Sequence, residues 1–437
     1  LSFVKLMGFP FHIQINLSTG FKGVKLLRLH ISLESYRNLK ILQLCLRIPL
    51  PPYDGATIAM YNLAESLTAS GAAVKMLSFN TKKHFMDINS IDAALLEKYK
   101  LETVFLDASV NAWDAFANLF KPNESYNIVR FDSEAFHQKL KELLQSETFD
   151  FILFEGLFLS PYLQTVRTFS KAKCILRAHN VEWLIWKRLA KATKNPLKKA
   201  YLYFLSDRLK RYENKVINNF DAIIAISEID KNLFLRDGCN IPIEVAPTGM
   251  NTAKYKNIEQ MDADSLSLFH LGSMDWLPNI EAVDWLLKDI WPLIQQKSTK
   301  VHLFLAGKNM NPKYFSIKSK NLIVAGEIKD ALKFMENKQI MVVPLLSGGG
   351  IRIKILEGLA AGKVIVSTST GAEGINYTDK KNILIADTPE DFTKTILSLL
   401  NNPNLLNNIA REAQILARTQ YDNNLIGKKL AGFLKAI

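Results

Sequence analysis

The chain has 437 residues, of which 48% are apolar and 22% charged, a composition that is ordinary for a globular protein and excludes general disorder. A chain of this length exceeds one ordinary core, so two or three domains are expected. The most apolar stretch, from Phe149, is interrupted by Asp150 and Glu155. A membrane-spanning segment is therefore not expected, and any membrane contact would be peripheral.

The cysteines and the charge distribution indicate the setting of the protein. Cys45, Cys174 and Cys239 are far apart, which fits neither a disulfide framework nor a zinc site and favours a reducing, cytoplasmic compartment. The net charge of +13 is uneven, because residues 187–215 hold ten Lys or Arg and two acids. Such a run is typical of a surface that meets anionic lipid, nucleic acid or a phosphorylated substrate, and equally of a solvated helix face.

The first predicted element is a segment outside the fold. Residues 1–38 show no clear period and no helix caps, and they precede a run, from Asn38, that reads as the first strand of a domain. We expect an N-terminal extension that takes no part in the fold. A basic arm that lies on a membrane surface is the alternative.

Apolar runs then recur at intervals that leave room for a helix between them. They begin near residues 40, 72, 149, 172 and 220, and again near residues 266, 300, 321, 339, 363 and 382. Runs that are apolar on both faces and alternate with helical patterns predict parallel sheets covered on both sides. The predicted fold class is therefore α/β, with two doubly wound, Rossmann-like domains facing a central cleft.

The boundary between these domains is expected near Cys239–Ser265, where prolines and a glycine accompany a polar stretch. This gives an N-terminal domain over residues 39–245 and a C-terminal domain over residues 246–420. Apolar spacings are helical from Pro389 onward. The last helix, about 421–437, is expected to close the second domain or to cross back to the first.

The loops after the strands are the places to look for ligands, since open α/β sheets bind them beyond the carboxyl ends of the strands. Tyr53, Asp54 and Gly55 follow the first strand and open a helix, whose backbone amides favour a phosphate or sugar. A simple turn would explain Gly55 equally well. In the second half, Ser273, Asp275 and Trp276 follow a strand in the same way, and Trp276 is either a core or a ligand residue.

A histidine also occupies such a position. His179 stands directly after the strand-like run that ends at Ala178, and Asn180 and Glu182 follow it. An isolated histidine is usually structural, but one at the carboxyl end of a parallel strand is a candidate for facing substrate.

The most informative stretch is SGGGIRIKILEG, residues 347–358. A strand leads into glycines 348–350, and we predict a helix from Ile351 with Ile355 and Leu359 buried. Glycines leave backbone amides uncovered and a helix start adds positive potential, so an anion is the expected ligand. Arg352 and Lys354 can both reach one ligand only if the helix begins near Ile353.

Two cations, free amides and the carboxylate of Glu357 suit a diphosphate and the hydroxyls of a ribose. The alternative is a salt-bridged helix start, with Lys354 and Glu357 as neighbours three residues apart.

Other phosphate and metal motifs do not fit. The glycines at 358 and 362 have neither the spacing nor the Ser or Thr of a P-loop, and no G-x-G-x-x-G follows a predicted strand. The acidic pair at Asp262 and Asp264 precedes a strand instead of following one, so no metal is expected.

The chain resembles glycosyltransferase family 4, the group 1 glycosyltransferases with the GT-B fold. The similarity runs from about residue 39 to the C-terminus through PPYDG, RAHNVE, AISEIDKNLF, VAPTGMNTAKY and, most specifically, PLLSGGGIRIKILEGLAAGKVIVSTSTGAEGI. The resemblance implies a nucleoside-diphosphate-sugar donor in the C-terminal domain, an acceptor in the N-terminal domain, and no metal or further cofactor.

The resemblance also assigns expected roles, and one position departs from it. Glu357 matches the second glutamate of the family's E-x7-E motif, which holds the donor ribose, but the first glutamate falls at Gly349, so its contact to the donor sugar is missing. We expect Arg352 and Lys354 to supply the diphosphate charge. His179 matches the active-site histidine. The expected donor-binding set is completed by Gly55, Ser273, Asp275, Lys308, Glu327, Ile328, Gly348, Gly349 and Gly350, and the acceptor-side set is Tyr53, Asp54, Asn180 and Glu182.

The expected function is retaining transfer of a sugar to a glycan or lipid-linked acceptor in cell-surface polysaccharide synthesis. The protein is expected to be cytoplasmic, with residues 187–215 meeting the inner face of a membrane. The alternative is a catalytically weak nucleotide-sugar-binding or scaffold protein. Binding to nucleic acid would rest on charge alone, because no nucleic-acid-binding module is visible, and it is not expected.

Overall fold

The computed structural model describes residues 39–109, 125–255 and 266–437, residues 111 and 118, and two short antiparallel strands, β1 (Gln14–Ile15) and β2 (Leu29–His30). From residue 40 onward the described strands form two parallel sheets, one of seven strands and one of six. The predicted α/β fold with two Rossmann-like domains is confirmed.

The first sheet has the order β5-β4-β3-β6-β7-β8-β9. Its strands are β3 (Lys40–Cys45), β4 (Ala73–Thr81), β5 (Glu102–Leu106), β6 (Phe151–Glu155), β7 (Lys173–Ala178), β8 (Ala222–Ala225) and β9 (Ile243–Val245).

The second sheet has the order β12-β11-β10-β13-β14-β15. Its strands are β10 (Leu266–Leu271), β11 (Val301–Ala306), β12 (Leu322–Gly326), β13 (Ile340–Val343), β14 (Val364–Ser367) and β15 (Leu384–Ile385).

Helices connect the strands. Those of the first half are α1 (Gly55–Ala69), α2 (Ala93–Tyr99), α3 (Tyr126–Val129), α4 (Glu134–Ser146), α5 (Leu163–Phe169), α6 (Glu182–Ala192), α7 (Pro196–Val216) and α8 (Glu228–Arg236). Those of the second half are α9 (Leu277–Trp285), α10 (Trp291–Lys297), α11 (Pro312–Phe315), α12 (Ala331–Glu336), α13 (Ile353–Ala360), α14 (Pro389–Leu400), α15 (Pro403–Gln420) and α16 (Asn423–Ala436).

Two strands of the seven-stranded sheet have no counterpart among the apolar runs of the sequence. β5 lies at the edge of the first sheet and is only partly buried, so it lacks the continuous apolar character of a central strand. β9 lies at the opposite edge, has three residues, and falls between Pro242 and Pro247 in the segment interpreted as the domain boundary. β5 leaves a weak pattern because its side chains are only partly buried, and β9 because it is short as well as partly buried.

Both sheets are covered on both faces. In β3, Ile41 packs into the apolar cluster on one face of the sheet, whereas Leu42 and Leu44 pack into the cluster on the other. In the second sheet, Phe269 and Leu268 of β10 divide between two clusters in the same way. This double burial explains why the central strands are apolar at nearly every position.

Each sheet has one position where the strand order reverses. In the first sheet it lies between β3 and β6, and in the second between β10 and β13. A crevice opens at the carboxyl ends of the strands on either side of such a reversal, and ligands of doubly wound domains bind there. The loops that follow β3, β6, β10 and β13 are therefore the parts of the fold where a site is expected.

The last helix crosses from the second half of the chain to the first. The Met250 amide donates to the Tyr421 carbonyl (2.8 Å), and the Asn423 amide donates to the Met250 carbonyl (2.9 Å). α16 then packs against α1, where Gly427 allows a close approach: a Cβ at this position would lie 2.0 Å from the Ser66 carbonyl oxygen. Ile426, Leu430 and Leu434 join the apolar cluster of the first sheet.

Candidate active site

The glycine-rich loop connects β13 to α13. The prediction that the helix begins at Ile351 is wrong: it begins at Ile353, and Arg352 occupies the N-cap position with extended backbone (φ −84°, ψ 98°). Gly348 and Gly350 adopt positive φ angles of 106° and 78°, which favour glycine and explain the repeated glycines of the loop. No side chain caps the start of α13, so its first amides remain available to a ligand.

Arg352 lies beneath this loop. Its side chain is buried, and its Nη1 donates to the carbonyls of Gly349 and Gly350. The guanidinium lies 5.5 Å from the ring centroid of Trp276. Its Nε and Nη2 are buried and have no hydrogen-bond partner among the described residues. Arg352 therefore keeps donor groups that a bound anion could satisfy.

Lys354 enters the site from the first turn of α13. Its ammonium donates to Asn279 Oδ1 (2.9 Å), and Asn279 Nδ2 donates to the Ser273 carbonyl (2.9 Å). Burial, together with the positive charge of Arg352, lowers the pKa of Lys354 to about 7. The predicted salt bridge between Lys354 and Glu357, the alternative reading of this segment, is not formed.

The loop after β10 brings the first predicted donor residues to the same place. Ser273 Oγ donates to Asp275 Oδ1 (2.5 Å), so these two side chains pair with each other. Trp276 is not a core residue: it is 39% exposed and lies against Gly348, where a Cβ would come 3.2 Å from its ring. Asn279 therefore links Lys354 to the loop of Ser273 by hydrogen bonds.

Glu357 is half-buried in α13, one turn after Lys354. Burial raises the pKa of its carboxyl. Burial raises the pKa of the Tyr255 phenol, and the nearby charge of Glu357 raises it further. No described residue forms a hydrogen bond with the Glu357 carboxylate. A partly buried carboxylate without partners is suited to accept hydrogen bonds from ligand hydroxyls.

Lys308, Glu327 and Ile328 lie at the ends of the next two strands. The Met274 amide donates to the Lys308 carbonyl and the Gly307 amide to the Gly326 carbonyl, both at 2.8 Å, so the three exit loops form one row. The side chains of Lys308 and Glu327 are exposed and Ile328 is half-buried. The structure places these residues along the rim of the second domain.

In the first domain, His179 is held by a buried carboxylate. Its Nε2 lies 2.7 Å from Glu155 Oε2, and the Glu155 side chain is 0% exposed while that of His179 is 20% exposed. Glu155 ends β6 and His179 follows β7, which are neighbours in the sheet. Gln43 of β3 donates to the other Glu155 oxygen, Oε1, at 2.6 Å.

Asn180 and Glu182 continue this loop. Burial raises the pKa of Glu182 to about 7, although a hydrogen bond with Asn180 partly offsets this increase. Glu213 of α7 accepts from the Glu182 and Trp183 amides (3.3 and 3.4 Å), so it caps α6. Burial and the neighbouring Glu182 raise the pKa of Glu213 to about 8. Glu182 is thus one of two close, buried carboxyl groups.

Tyr53, Asp54 and Gly55 form the start of α1. Asp54 is its N-cap, accepts from the amides of Ala56 and Thr57, and pairs with Arg47 at 2.8 Å. Its carboxylate is therefore engaged in the protein. Tyr53 is 42% exposed. Gly55 lies opposite the second domain, because a Cβ there would be 3.8 Å from Ile353 Cδ1.

The two domains meet at the glycine-rich loop. A Cβ on Gly350 would lie 3.4 Å from Asn180 Oδ1, and one on Gly349 would lie 3.1 Å from Ile185 Cδ1. Arg188 of α6 forms a two-point ion pair with Glu373 of the second domain, at 2.6 and 3.0 Å. The structure thus brings Asn180, which follows His179, the start of α1 and the glycine-rich loop that precedes α13 together where the two domains meet.

Several residues of this site were missed from sequence. Glu155 and Gln43 lie inside apolar strands, and only the rarity of a polar residue in such a run marks them. Asn279 lies in the helix that follows the Ser273 loop. Glu281, on the same helix, accepts a hydrogen bond from Ser347 Oγ at 2.7 Å, so its carboxylate is bonded to the glycine-rich loop.

A separate cavity of about 430 Å³ lies between the domains, lined in part by Ser227, Glu228, Asn376, Tyr421 and Lys429. None of the predicted site residues lines it. A small cavity of about 30 Å³ touches Asn180, Gly350 and the Arg188–Glu373 pair.

Two findings concern membranes and metals within the described ranges. No helix there is both long and apolar enough to cross a bilayer. No three His, Cys, Asp or Glu side chains there come together as a metal site would require. The acidic pair at residues 262 and 264 lies outside the described part of the chain.

Comparison with known families identifies the class. The model described as Glycosyltransferase Family 4 matches residues 53–254, and the model described as Glycosyl transferases group 1 matches residues 265–402. The two facing Rossmann-like domains, with these matches across both, define a glycosyltransferase of GT-B fold. The chain belongs to glycosyltransferase family 4, the group 1 glycosyltransferases.

Individual proteins are also similar to this chain, and the solved structures among them share its fold. A protein of 44.6 kDa from the cps region of Klebsiella pneumoniae is 26% identical over 300 residues, which are 66% of this chain and 75% of that protein. HepE from Anabaena, solved in complex with UDP, matches with a TM-score of 0.60 at 13% identity, over 91% of this chain and all of that one. Sucrose-phosphate synthase from Thermosynechococcus elongatus matches with a TM-score of 0.63 at 15% identity, over 91% and 98% of the two chains.

Proposed function

We propose that this protein transfers a sugar from a nucleoside-diphosphate sugar, with the donor diphosphate bound between the glycine-rich loop and Arg352 and Lys354. The observation that carries the proposal is that these two cations lie together at the interdomain crevice and that neither forms an ion pair with a described carboxylate. Buried charges in proteins are normally paired. A diphosphate supplies the missing negative charge and would accept from the free Nε and Nη2 of Arg352.

The same arrangement suits the chemistry of transfer. As the bond between the anomeric carbon and the diphosphate breaks, the sugar becomes oxocarbenium-like and negative charge develops on the leaving oxygens. Cations and amides that are already in place stabilise this charge, and loss of one such donor typically lowers the rate by about 10²- to 10³-fold. Because side chains supply this stabilisation, we propose that transfer needs no metal. We also propose that the sugar is a hexose and that its anomeric configuration is retained.

Glu357, the donor-side loops and His179 also have a place in this proposal. The Glu357 carboxylate accepts from the ribose hydroxyls, and the row of loops at Ser273, Lys308 and Glu327–Ile328 lies along the nucleotide. His179, from the opposite domain, faces the sugar. The complexes of Anabaena HepE with UDP, and with UDP-glucose, support a uridine nucleotide as the first donor to test.

The acceptor is proposed to be a glycan or a lipid-linked sugar of a cell-surface polysaccharide, a context supported by the relative from the cps region of Klebsiella. It would enter on the side of the first domain, past Tyr53 and Asn180.

A basic hairpin supports a peripheral position at a membrane. α6 and α7 meet at a tip where Leu197 is 82% exposed, flanked by the exposed Lys191, Lys194 and Lys198, none of which pairs with a described carboxylate. An apolar side chain among cations suits an anionic lipid surface, where each Lys or Arg contributes about 1 kcal/mol. We propose that this tip, within the basic run 187–215, holds the cytoplasmic enzyme at the inner face of the membrane.

A flotation assay tests this placement. The wild-type protein is expected to bind vesicles containing phosphatidylglycerol but not neutral vesicles, and binding should weaken as salt is raised. Replacing the three lysines with glutamine should abolish it, whereas glutamine at three lysines of the second domain, Lys288, Lys318 and Lys320, should not. Equal loss in both variants would contradict the hairpin as the docking surface.

A donor panel tests the enzymatic proposal. Purified protein is assayed with UDP-, GDP- and ADP-sugars for thermal stabilisation, hydrolysis and acceptor-dependent release of nucleotide. Arg352→Ala and Lys354→Ala should each lower turnover by about 10²-fold or more with unchanged circular dichroism, while the exposed Arg411→Ala should not. Near-normal turnover in both site variants would contradict the proposed diphosphate site.

The alternative function is a nucleotide-sugar-binding or scaffold protein, and Gly349 is the observation behind it, since the glutamate expected there is absent. It predicts that a donor stabilises the protein without any acceptor-dependent release of nucleotide. Analysis of the product tests the stereochemistry of transfer, because the anomeric configuration of the product reports whether transfer is retaining.

A further inference from the structure

We infer that Glu155 and Gln43 form a positioning device that fixes which ring nitrogen of His179 faces the interdomain crevice, so that His179 Nδ1 accepts a hydrogen bond from a substrate hydroxyl. This inference rests on the proposed function, because it concerns the same crevice. Nothing in the local sequence around His179 points to it, since both partners come from other strands.

The carboxylate of Glu155 is held from both sides. Glu155 has a fully buried side chain, yet both its oxygens are engaged: Oε1 accepts from Gln43 Nε2 (2.6 Å) and Oε2 lies 2.7 Å from His179 Nε2. The guanidinium of Arg177, buried on the neighbouring strand, interacts electrostatically with Glu155. Gln43 donates to one oxygen and the Arg177 cation lies nearby, surroundings that suit a carboxylate, and an ionised carboxylate can only accept.

The side-chain amide of Gln43 has a defined orientation. Its Nε2 donates to the Met60 carbonyl of α1 at 3.1 Å as well as to Glu155. A carbonyl oxygen can only accept, so the amide nitrogen must lie on this side and the orientation of the Gln43 amide is fixed. Gln43 therefore presents a donor to Glu155 and leaves the other carboxylate oxygen to the histidine.

The Glu155 carboxylate sets the tautomer of His179. Because Glu155 accepts, Nε2 must carry its hydrogen, and in the neutral ring Nδ1 is then the acceptor. The ring is one-fifth exposed, and the next residue, Asn180, lies against Gly350 of the glycine-rich loop. Glu155 itself has no access to solvent and reaches substrate only through His179, so it is a positioning residue and not a catalytic one.

Glu155→Gln is a sharp test because Gln43 dictates its outcome. Gln43 Nε2 donates, so the glutamine introduced by Glu155→Gln must turn its carbonyl oxygen toward Gln43 and its amide group toward His179. His179 Nε2 must then accept, the ring hydrogen moves to Nδ1, and the acceptor facing the substrate is lost. The variant preserves shape and hydrogen-bond number, and we expect kcat to fall about 10²-fold with the KM for donor changed by less than about threefold.

Two further variants separate positioning from structure. In a His179→Ala background, Glu155→Gln should change kcat by less than about twofold, because the residue through which Glu155 acts is absent. Adding Gln43→Met to Glu155→Gln removes the constraint on the new amide, which can then turn its oxygen to His179, and part of the lost activity should return. An equal loss in both His179 backgrounds, or no recovery in the Gln43→Met double variant, would overturn the inference.

A measurement without activity keeps this inference distinct from the proposed function. Nitrogen-15 NMR of the histidine rings in the full-length protein should show His179, assigned by its loss in His179→Ala, with its hydrogen on Nε2 in wild type and on Nδ1 in Glu155→Gln. The same tautomer in both proteins would overturn the inference even if transfer is observed. Failure of every donor in the panel, with the tautomer switch present, would contradict the proposed function alone.

Discussion

The ammonium of Lys354 donates a hydrogen bond to the side-chain oxygen of Asn279 at 2.9 Å, so a buried cation of the crevice is paired with a neutral amide. The arrangement satisfies the hydrogen bond without neutralising the charge. Lys354 and the nearby Arg352 therefore keep a positive potential that an incoming anion can meet.

Donor binding should depend on pH through Lys354. Its pKa is lowered to about 7 by burial and by Arg352, and a bound diphosphate would restore the charged form. Binding at pH 8 should therefore take up a proton, binding at pH 6 should not, and affinity should fall up to about tenfold per unit as pH rises above 7. Calorimetry with UDP-glucose in buffers of different ionisation enthalpy measures this uptake. Lys354→Met is the control, and a wild-type affinity that is constant from pH 6 to 9 would contradict the prediction.

Asn279→Asp should abolish the free charge of the site. A carboxylate in place of the amide oxygen would form an ion pair with Lys354, raising the pKa of that lysine and competing with the diphosphate. We expect donor affinity to fall about tenfold or more, while the melting temperature stays the same or rises. Asn279→Ser, which adds no charge, is the comparison. Tighter binding by Asn279→Asp would show that no anion meets Lys354.

The Glu182–Glu213 pair should make the protein less stable in alkaline solution. Both carboxyls have raised pKa values in the folded state, about 7 and about 8, because burial disfavours their charged forms, and Glu182 further raises the pKa of Glu213. A carboxyl with a raised folded pKa stabilises the fold below its unfolded pKa of about 4.3, and this stability is lost as pH rises through about 7 to 8. Glu213→Gln should remove a loss of about 2–3 kcal/mol between pH 6 and 9, seen as a smaller fall in melting temperature than in wild type. Parallel curves for the two proteins would contradict it.

Gly427→Ala should loosen the last helix from α1. The added Cβ would lie 2.0 Å from the Ser66 carbonyl oxygen and 2.5 Å from Ser70 Oγ, so α16 must shift. Overpacking of this kind typically costs about 1–3 kcal/mol, and the gain in helix propensity offsets about 1 kcal/mol of it. Thermal and urea unfolding measure the change. The exposed neighbour substitution Lys428→Ala should stay within about 0.5 kcal/mol of wild type, and an unaffected Gly427→Ala would mean that the helices do not pack this closely.

Much of the fold followed from the sequence because its central strands are buried on both faces. The continuous apolar runs of β3, β6, β10 and β13 are a direct result of that burial and are visible in any short window. The edge strands β5 and β9 leave no such run, because both are only partly buried and β9 has only three residues. The start of α13 was misplaced by two residues because Ile351, although apolar, precedes the N-cap Arg352.

By itself, the sequence determined the two-domain α/β class, the family, and the candidate loops with His179, Arg352, Lys354 and Glu357, because each of these depends on residues close together in the chain. Only the tertiary structure decided their partners. Glu155 is 24 residues from His179, and Asn279 is 75 residues from Lys354. Which side chains meet over such separations depends on strand order and domain docking, and these arise from the packing of the whole chain, which no local pattern records.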